Sequence, residues 1–171
     1  IYKSSGINGH PAIDFSSSKF LNREGSIWTG SGIGSFFIVF KTNAISGNQS
    51  LFGTCFNDVS YETFYIGADA SLNWSLNSGG GPYGRALSSA GVITPGQTYV
   101  ATMSAKHDVN YTMRLNGVNI PVTGSPVGRF FVNHVRFAIG SSIYLDPTIG
   151  GDFLNGMIAE FRIMNLYNMV D

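Results

Sequence analysis

Short runs of apolar and β-branched residues, each about four to eight long, recur along the whole chain between Gly, Asn, Ser and Pro, and no long window keeps a helical period. A chain written this way is restricted to an all-β fold. In PAIDFSS, Ile13 and Phe15 share one face. In SFFIVFKT, Phe36, Ile38 and Phe40 face one way and Phe37 and Val39 the other, which predicts a central strand buried on both sides. Leu72, Trp74 and Leu76 alternate with Ser71, Asn73 and Ser75, predicting a half-exposed strand with Trp74 in the core. HVRFAIGSS sets Val135, Phe137 and Ile139 against Arg136 and Ala138. GMIAEFRIMN sets Met157, Ala159, Phe161 and Ile163 against Ile158, Glu160, Arg162 and Met164.

Turn chemistry supplies the punctuation. TPGQ is a Pro-Gly turn, and Asn116-Gly117 in YTMRLNGVNIPV has the residues a primed two-residue hairpin prefers. NSGGGPYGR, residues 77 to 85, is too rich in glycine for a regular element and reads as a surface loop. No internal repeat or linker interrupts the pattern, so residues 1–171 are expected to form one antiparallel two-sheet sandwich of roughly ten to fourteen strands. A chain of 171 residues can bury about 70% of its extended surface, enough for one core.

Charge narrows the partners. Only 12% of residues are charged, and ten Lys+Arg balance ten Asp+Glu, so the basic footprint of phosphate-backbone binding is missing and nucleic acid is excluded. No apolar run reaches the length of a spanning helix, and IYKSSGINGH has no secretory apolar core, so no membrane insertion is expected. Ile1 in place of an initiating Met suggests a piece of a longer chain. Cys55 is the single cysteine, expected as a small buried apolar residue; this rules out an intrachain disulfide and a thiolate zinc site.

Four stretches carry a family resemblance: TPGQTYVATMSAKHDVNYTMRLNGVNI, FAIGSS, FLNGMIAEFRIMNLYNM and, near the start, PAIDFSSSKF. In that order and spacing they resemble the laminin-G-like branch of the concanavalin A-like lectin and glucanase superfamily. The resemblance implies a jelly-roll sandwich whose closing strand, Met157 to Met164, lies beside PAIDF. It also implies a calcium ion in a rim loop, for which Asp146 and Asp152 of YLDPTIGGDF are the candidate ligands, although no D-x-D-x-D spacing occurs. Tyr99 stands where many relatives carry Trp.

Catalysis has little to work with. Glycoside hydrolysis needs two nearby carboxylates, and Glu24, Glu62 and Glu160 each lack another acid within three residues; Glu160 has Arg162 as a ready partner on its own face. His10, His107 and His134 sit at turn or strand-edge positions and read as solvated structural histidines. No serine occupies a G-x-S-x-G elbow. The reading is therefore not an enzyme.

Binding suits the residue types better. Aromatic rings meet the apolar faces of sugars, and Asn, Ser and Arg meet their hydroxyls. Tyr61 beside Glu62, the polar row Asn73, Ser75 and Asn77, and Tyr83 with Arg85 in the glycine-rich stretch are the candidate ligand-binding residues, reachable from one concave surface. The function expected first is a non-catalytic lectin-like recognition domain for a glycan or host-surface saccharide, on a virion or extracellular surface. A structural or assembly module contacting other virion or appendage subunits is the alternative. A glycan-cleaving enzyme comes third.

Overall fold

The computed structural model describes residues 1–25, 34–57, 60–78, 81–106, 110–124, 134–143 and 150–164. Among them are sixteen strands and no helix. The first eight are β1 Tyr2–Ile7, β2 His10–Asp14, β3 Leu21–Glu24, β4 Gly34–Thr42, β5 Gln49–Asn57, β6 Ser60–Ile66, β7 Leu72–Ser78 and β8 Gly81–Ser88. The rest are β9 Thr98–Lys106, β10 Asn110–Leu115, β11 Val118–Asn119, β12 Val122–Thr123, β13 Arg136–Ile139, β14 Ser142–Ile143, β15 Gly150–Gly151 and β16 Gly156–Met164. The number exceeds the expected range because four strands have two residues each and carry no period of their own.

Two seven-stranded sheets and one two-stranded ribbon account for all of them. The first sheet runs β1-β2-β16-β4-β9-β10-β11, the second β12-β8-β7-β6-β5-β13-β3, and β14 pairs with β15. Every ladder is antiparallel. The closing strand lies beside the opening one as expected: Met157 pairs with Asp14 and Ile158 with Ile13.

The apolar stripes meet between the sheets. Phe36 of β4 packs edge-on against Phe52 of β5 at 4.7 Å and Phe64 of β6 at 4.6 Å between ring centres, which joins the two layers at the middle of the core. Trp74 is fully buried, 4.4 Å from the Tyr111 ring of β10. The Asn116-Gly117 turn forms as read, with φ of 52° and 81°, the left-handed pair a primed turn requires.

Four local expectations fail. β7 is not half-exposed, since the polar side chains of Asn73 and Ser75, like Ser71 just before the strand, are buried on its outer face. Phe36, Ile38 and Phe40 are buried, but Phe37 and Val39 are only half-buried, so β4 is covered on one side. The glycine-rich stretch is largely strand: Asn77 pairs with Pro82 and Ser78 with Gly81, because ladder bonds need backbone groups and no side chain. In β16 a bulge between Ile158 and Glu160 inserts Ala159 and shifts the alternation by one residue. Ile158 therefore joins Phe161 and Ile163 on the inner side, and Met157 does not.

Candidate functional site

The strands that bury Phe64, Trp74 and Ala86 inward turn the alternate residues outward. On β6 these are Tyr61, Thr63 and Tyr65; on β7 they are Asn73, Ser75 and Asn77; on β8, Arg85. Antiparallel register then lines them up across the sheet, with Thr63 opposite Ser75 and Ser75 opposite Arg85, and with Tyr61 opposite Asn77. All of these but Asn73 floor a groove of about 180 Å³. Its remaining lining comes from Asn48, Ser142 and Asp152.

The wall at Asp152 is built by the β14–β15 ribbon lying on the outer face of β5. Ser142 Oγ donates to the Gly151 carbonyl at 2.8 Å, and Ser50 N–H donates to the Asp152 carbonyl at 2.5 Å. Asp152 itself takes φ 50°, a left-handed conformation that Asp tolerates better than most residues. Opposite, Arg85 projects from β8 and is exposed. Asn77 Nδ2 donates to Ser75 Oγ at 3.2 Å.

Electrostatics give the groove a direction. Burial pushes the Asp152 carboxyl above the usual aspartate range. Tyr65 is raised too, chiefly by burial; Arg85 pulls it back, while Asp152 and Asp69 add to the rise. Tyr65 thus feels the cation of one wall and the carboxylate of the other. The Arg85 side offers donors, and the Asp152 side offers acceptors.

Of the expected binding residues, Tyr61, Ser75, Asn77 and Arg85 come together here, as does Asp152, expected as a metal ligand. Asn73 shares their face but does not line the groove: it is 5% exposed, and its Nδ2 donates to Ser71 Oγ at 2.6 Å. Tyr83 lies on β8 with its side chain outside the described set, and Asp146 lies outside the described residues. Glu62 points into the sandwich, since a strand cannot turn two consecutive side chains to one face; its Oε2 is 3.0 Å from His134 Nε2 and accepts from Thr54 Oγ1 at 3.3 Å. His134 is correspondingly buried, not solvated. His107 falls outside the described residues.

Calcium prefers six to eight oxygen ligands with several carboxylates. Among the described residues Asp152 brings one carboxylate to the groove and no three His, Cys, Asp or Glu side chains cluster; Asp146, the other expected calcium ligand, lies outside the described residues. The same single carboxylate leaves hydrolysis without its second acid among the described lining residues.

No protein-family model matches the chain, and no curated protein does. Solved structures do. The CBM40 of the Ruminococcus gnavus IT-sialidase, bound to α2,3-sialyllactose, superposes with TM-score 0.66 at 17% identity, covering 86% of this chain and 92% of its own. Domain 4 of AbnA, a GH43 extracellular arabinanase from Geobacillus stearothermophilus, in complex with arabinotriose, gives 0.69 at 19% identity over 95% of this chain and 73% of that one. The NanB sialidase from Streptococcus pneumoniae gives 0.71 at 16% identity over 91% of this chain and 26% of its own. The fold is a jelly-roll β-sandwich. At these identities the likeness establishes the jelly roll and nothing about its ligand.

Four lining residues were missed from the sequence, in different ways. Thr63 shares the parity of Tyr61 on one strand, as does Tyr65, so alternation alone could have found both. Asn48 precedes β5 and reaches the groove through tertiary packing, for which no local pattern exists; its Oδ1 accepts from Ala68 N–H at 3.2 Å. Ser142 arrives the same way, carried by the ribbon.

Proposed function

We propose that this jelly roll holds a sugar residue of a glycan in the groove over β6, β7 and β8 and does not cleave it. The carrying observation is the convergence of Tyr61, Tyr65, Ser75, Asn77, Arg85 and Asp152 on one cleft of about 180 Å³, a size suited to a single sugar ring. Phenol rings cover apolar C–H faces, and the polar floor exchanges hydrogen bonds with hydroxyls. Support of a second kind comes from the neighbours, two of which were captured with α2,3-sialyllactose and arabinotriose. We place the domain outside the cell, as in the arabinanase, and keep the laminin-G-like kinship on the strength of the β2–β16 pairing and the Asn116-Gly117 hairpin. A virion setting and virion subunits as partners draw no support from these neighbours and form no part of the proposal.

A glycan array probed with the wild-type domain and with Arg85→Ala tests the reading. Wild type is expected to bind at least one glycan class, and Arg85→Ala to weaken those spots at least about tenfold, the equivalent of 1.4 kcal/mol. An array blank for the folded wild-type protein overturns it. Calcium at Asp146 and Asp152 is tested by the melting temperature in calcium chloride and in EDTA: a rise with calcium supports an ion there, and an unchanged value removes it.

A further inference from the structure

Gly53 lies mid-strand in β5, opposite Thr63 on one side and Ala138 of β13 on the other, on the face that turns outward. A Cβ placed there would stand 2.9 Å from Ser142 Cα, 3.0 Å from Ile143 N and 3.0 Å from the Ser141 carbonyl oxygen. All three are backbone atoms, which cannot swing aside as a side chain can. The absence of a side chain at Gly53 is therefore what lets the ribbon rest directly on the sheet. The neighbouring outward positions are also small: Cys55 and Ala138, both fully buried, form with Ile143 a separate apolar cluster against which Phe20 and Tyr61 pack. The ribbon is glued to the outer face by its own small core.

We propose that the β14–β15 ribbon is the specificity-setting wall of the groove, admitted by Gly53, and that the Asp152 carboxylate at its end accepts hydrogen bonds from two adjacent hydroxyls of the bound sugar. This rests on the sugar-binding reading and adds to it a ligand class: a residue with an uncharged vicinal diol toward the ribbon. A carboxylate accepts only, through two oxygens, so a diol pairs with it twice, and such charge-assisted bonds are about twice as strong as neutral ones. A sugar carboxylate or sulfate would be repelled from that wall, whatever it met at Arg85. The ribbon holds Asp152 in place through the Ser142 Oγ bond to Gly151, and β5 holds it through the Ser50 bond to the Asp152 carbonyl. Gly53 is accordingly a positioning residue, and Asp152 a binding one.

Asp152→Asn and Gly53→Ala test it on the same glycan array, with thermal unfolding as the check on folding. Asn keeps the shape and tolerates the left-handed φ, so Asp152→Asn leaves the backbone undisturbed. Both variants are expected to lose at least tenfold on the wild-type spots. Wild-type binding is expected to weaken as pH falls through the Asp152 titration, and that of Asp152→Asn to stay flat. Among the described residues the other ionisable side chains lining the groove are Tyr61 and Tyr65 on β6 and Arg85 on β8, and burial raises Tyr65 further from the carboxylate range. Asp69, the other carboxylate acting on Tyr65, is held below the ordinary range by Ser71 and titrates in a separate window.

A second measurement needs no sugar. In side-chain NMR, Asp152 is expected to titrate above ordinary aspartates in wild type and to fall toward them in Gly53→Ala, as the displaced wall meets water. Undiminished binding by either variant, or an Asp152 titration unmoved by Gly53→Ala, overturns the ribbon's role while leaving sugar binding standing. A wild-type protein that binds no glycan removes the sugar-binding reading itself, and the wall's role with it.

Discussion

Tyr61 and Glu62 are neighbours in the chain and work on opposite sides of β6. Tyr61 lines the groove; Glu62 is 1% exposed inside the sandwich, against His134. Removing one member of a buried polar pair typically costs about 3–5 kcal/mol. His134→Ala is thus expected to lower the melting temperature by roughly 6 to 20 °C for a chain of this size, measurable by calorimetry. On the surface the stakes are smaller. Asp69 Oδ1 accepts from the Ser71 hydroxyl at 2.5 Å and from its N–H at 3.1 Å, and these bonds hold the carboxyl below its usual range. Its ionised form is favoured by folding, so this contribution is present above the unfolded-state pKa and is lost as pH falls through the lower folded-state value. Ser71→Ala is expected to raise the Asp69 titration toward that of a free aspartate in NMR.

Elements show where alternation holds and where it slips. The β10–β11 hairpin obeys its turn residues: Asn116 donates its N–H to the Val100 carbonyl at 2.7 Å and accepts the Val100 N–H on Oδ1 at 2.9 Å, which ties the turn to β9. Gly117 sits at φ 81°, where any L side chain is strained by about 1–2 kcal/mol. Gly117→Ala should lower the melting temperature by roughly 2 to 8 °C, with sugar binding unchanged. The glycine-rich stretch taught the opposite lesson. Composition argued for a loop, yet the residues from Gly81 onward continue the β7–β8 ladder, and only this extension carries Arg85 to its place opposite Ser75. The β16 bulge hides from composition altogether, because one inserted residue is invisible until its partner strand is known.

At the scale of the molecule, the groove exists because three independent facts coincide: a polar outer face on β6 and β7, an arginine on β8, and a ribbon landing beside them. The ribbon also explains a trade-off. Burial raises the Asp152 carboxyl, so the ionised side chain opposes folding between the unfolded and folded pKa values and above them. Asp152→Asn is expected to melt no lower than wild type at neutral pH, and slightly higher, while binding sugar less well; scanning calorimetry beside the array would show the two effects separating.

The two-residue period is a local property of extended backbone, and it was enough by itself to specify an all-β chain, the inward stripe of Phe36, Ile38, Phe40 and Trp74, and the outward row of Ser75 and Asn77. Turn chemistry added the Asn116-Gly117 hairpin. What only the tertiary structure decided was which outward residues share a cleft. Asn73 passes every local criterion yet turns its amide to Ser71 Oγ outside the groove, whereas Ser142 passes none and lines it. The reason is that a wall arises when a segment distant in sequence packs on a face, and the condition for that packing, a missing side chain at Gly53 facing the Ser141 and Ser142 backbone, is meaningful only once β5 and the ribbon are in contact.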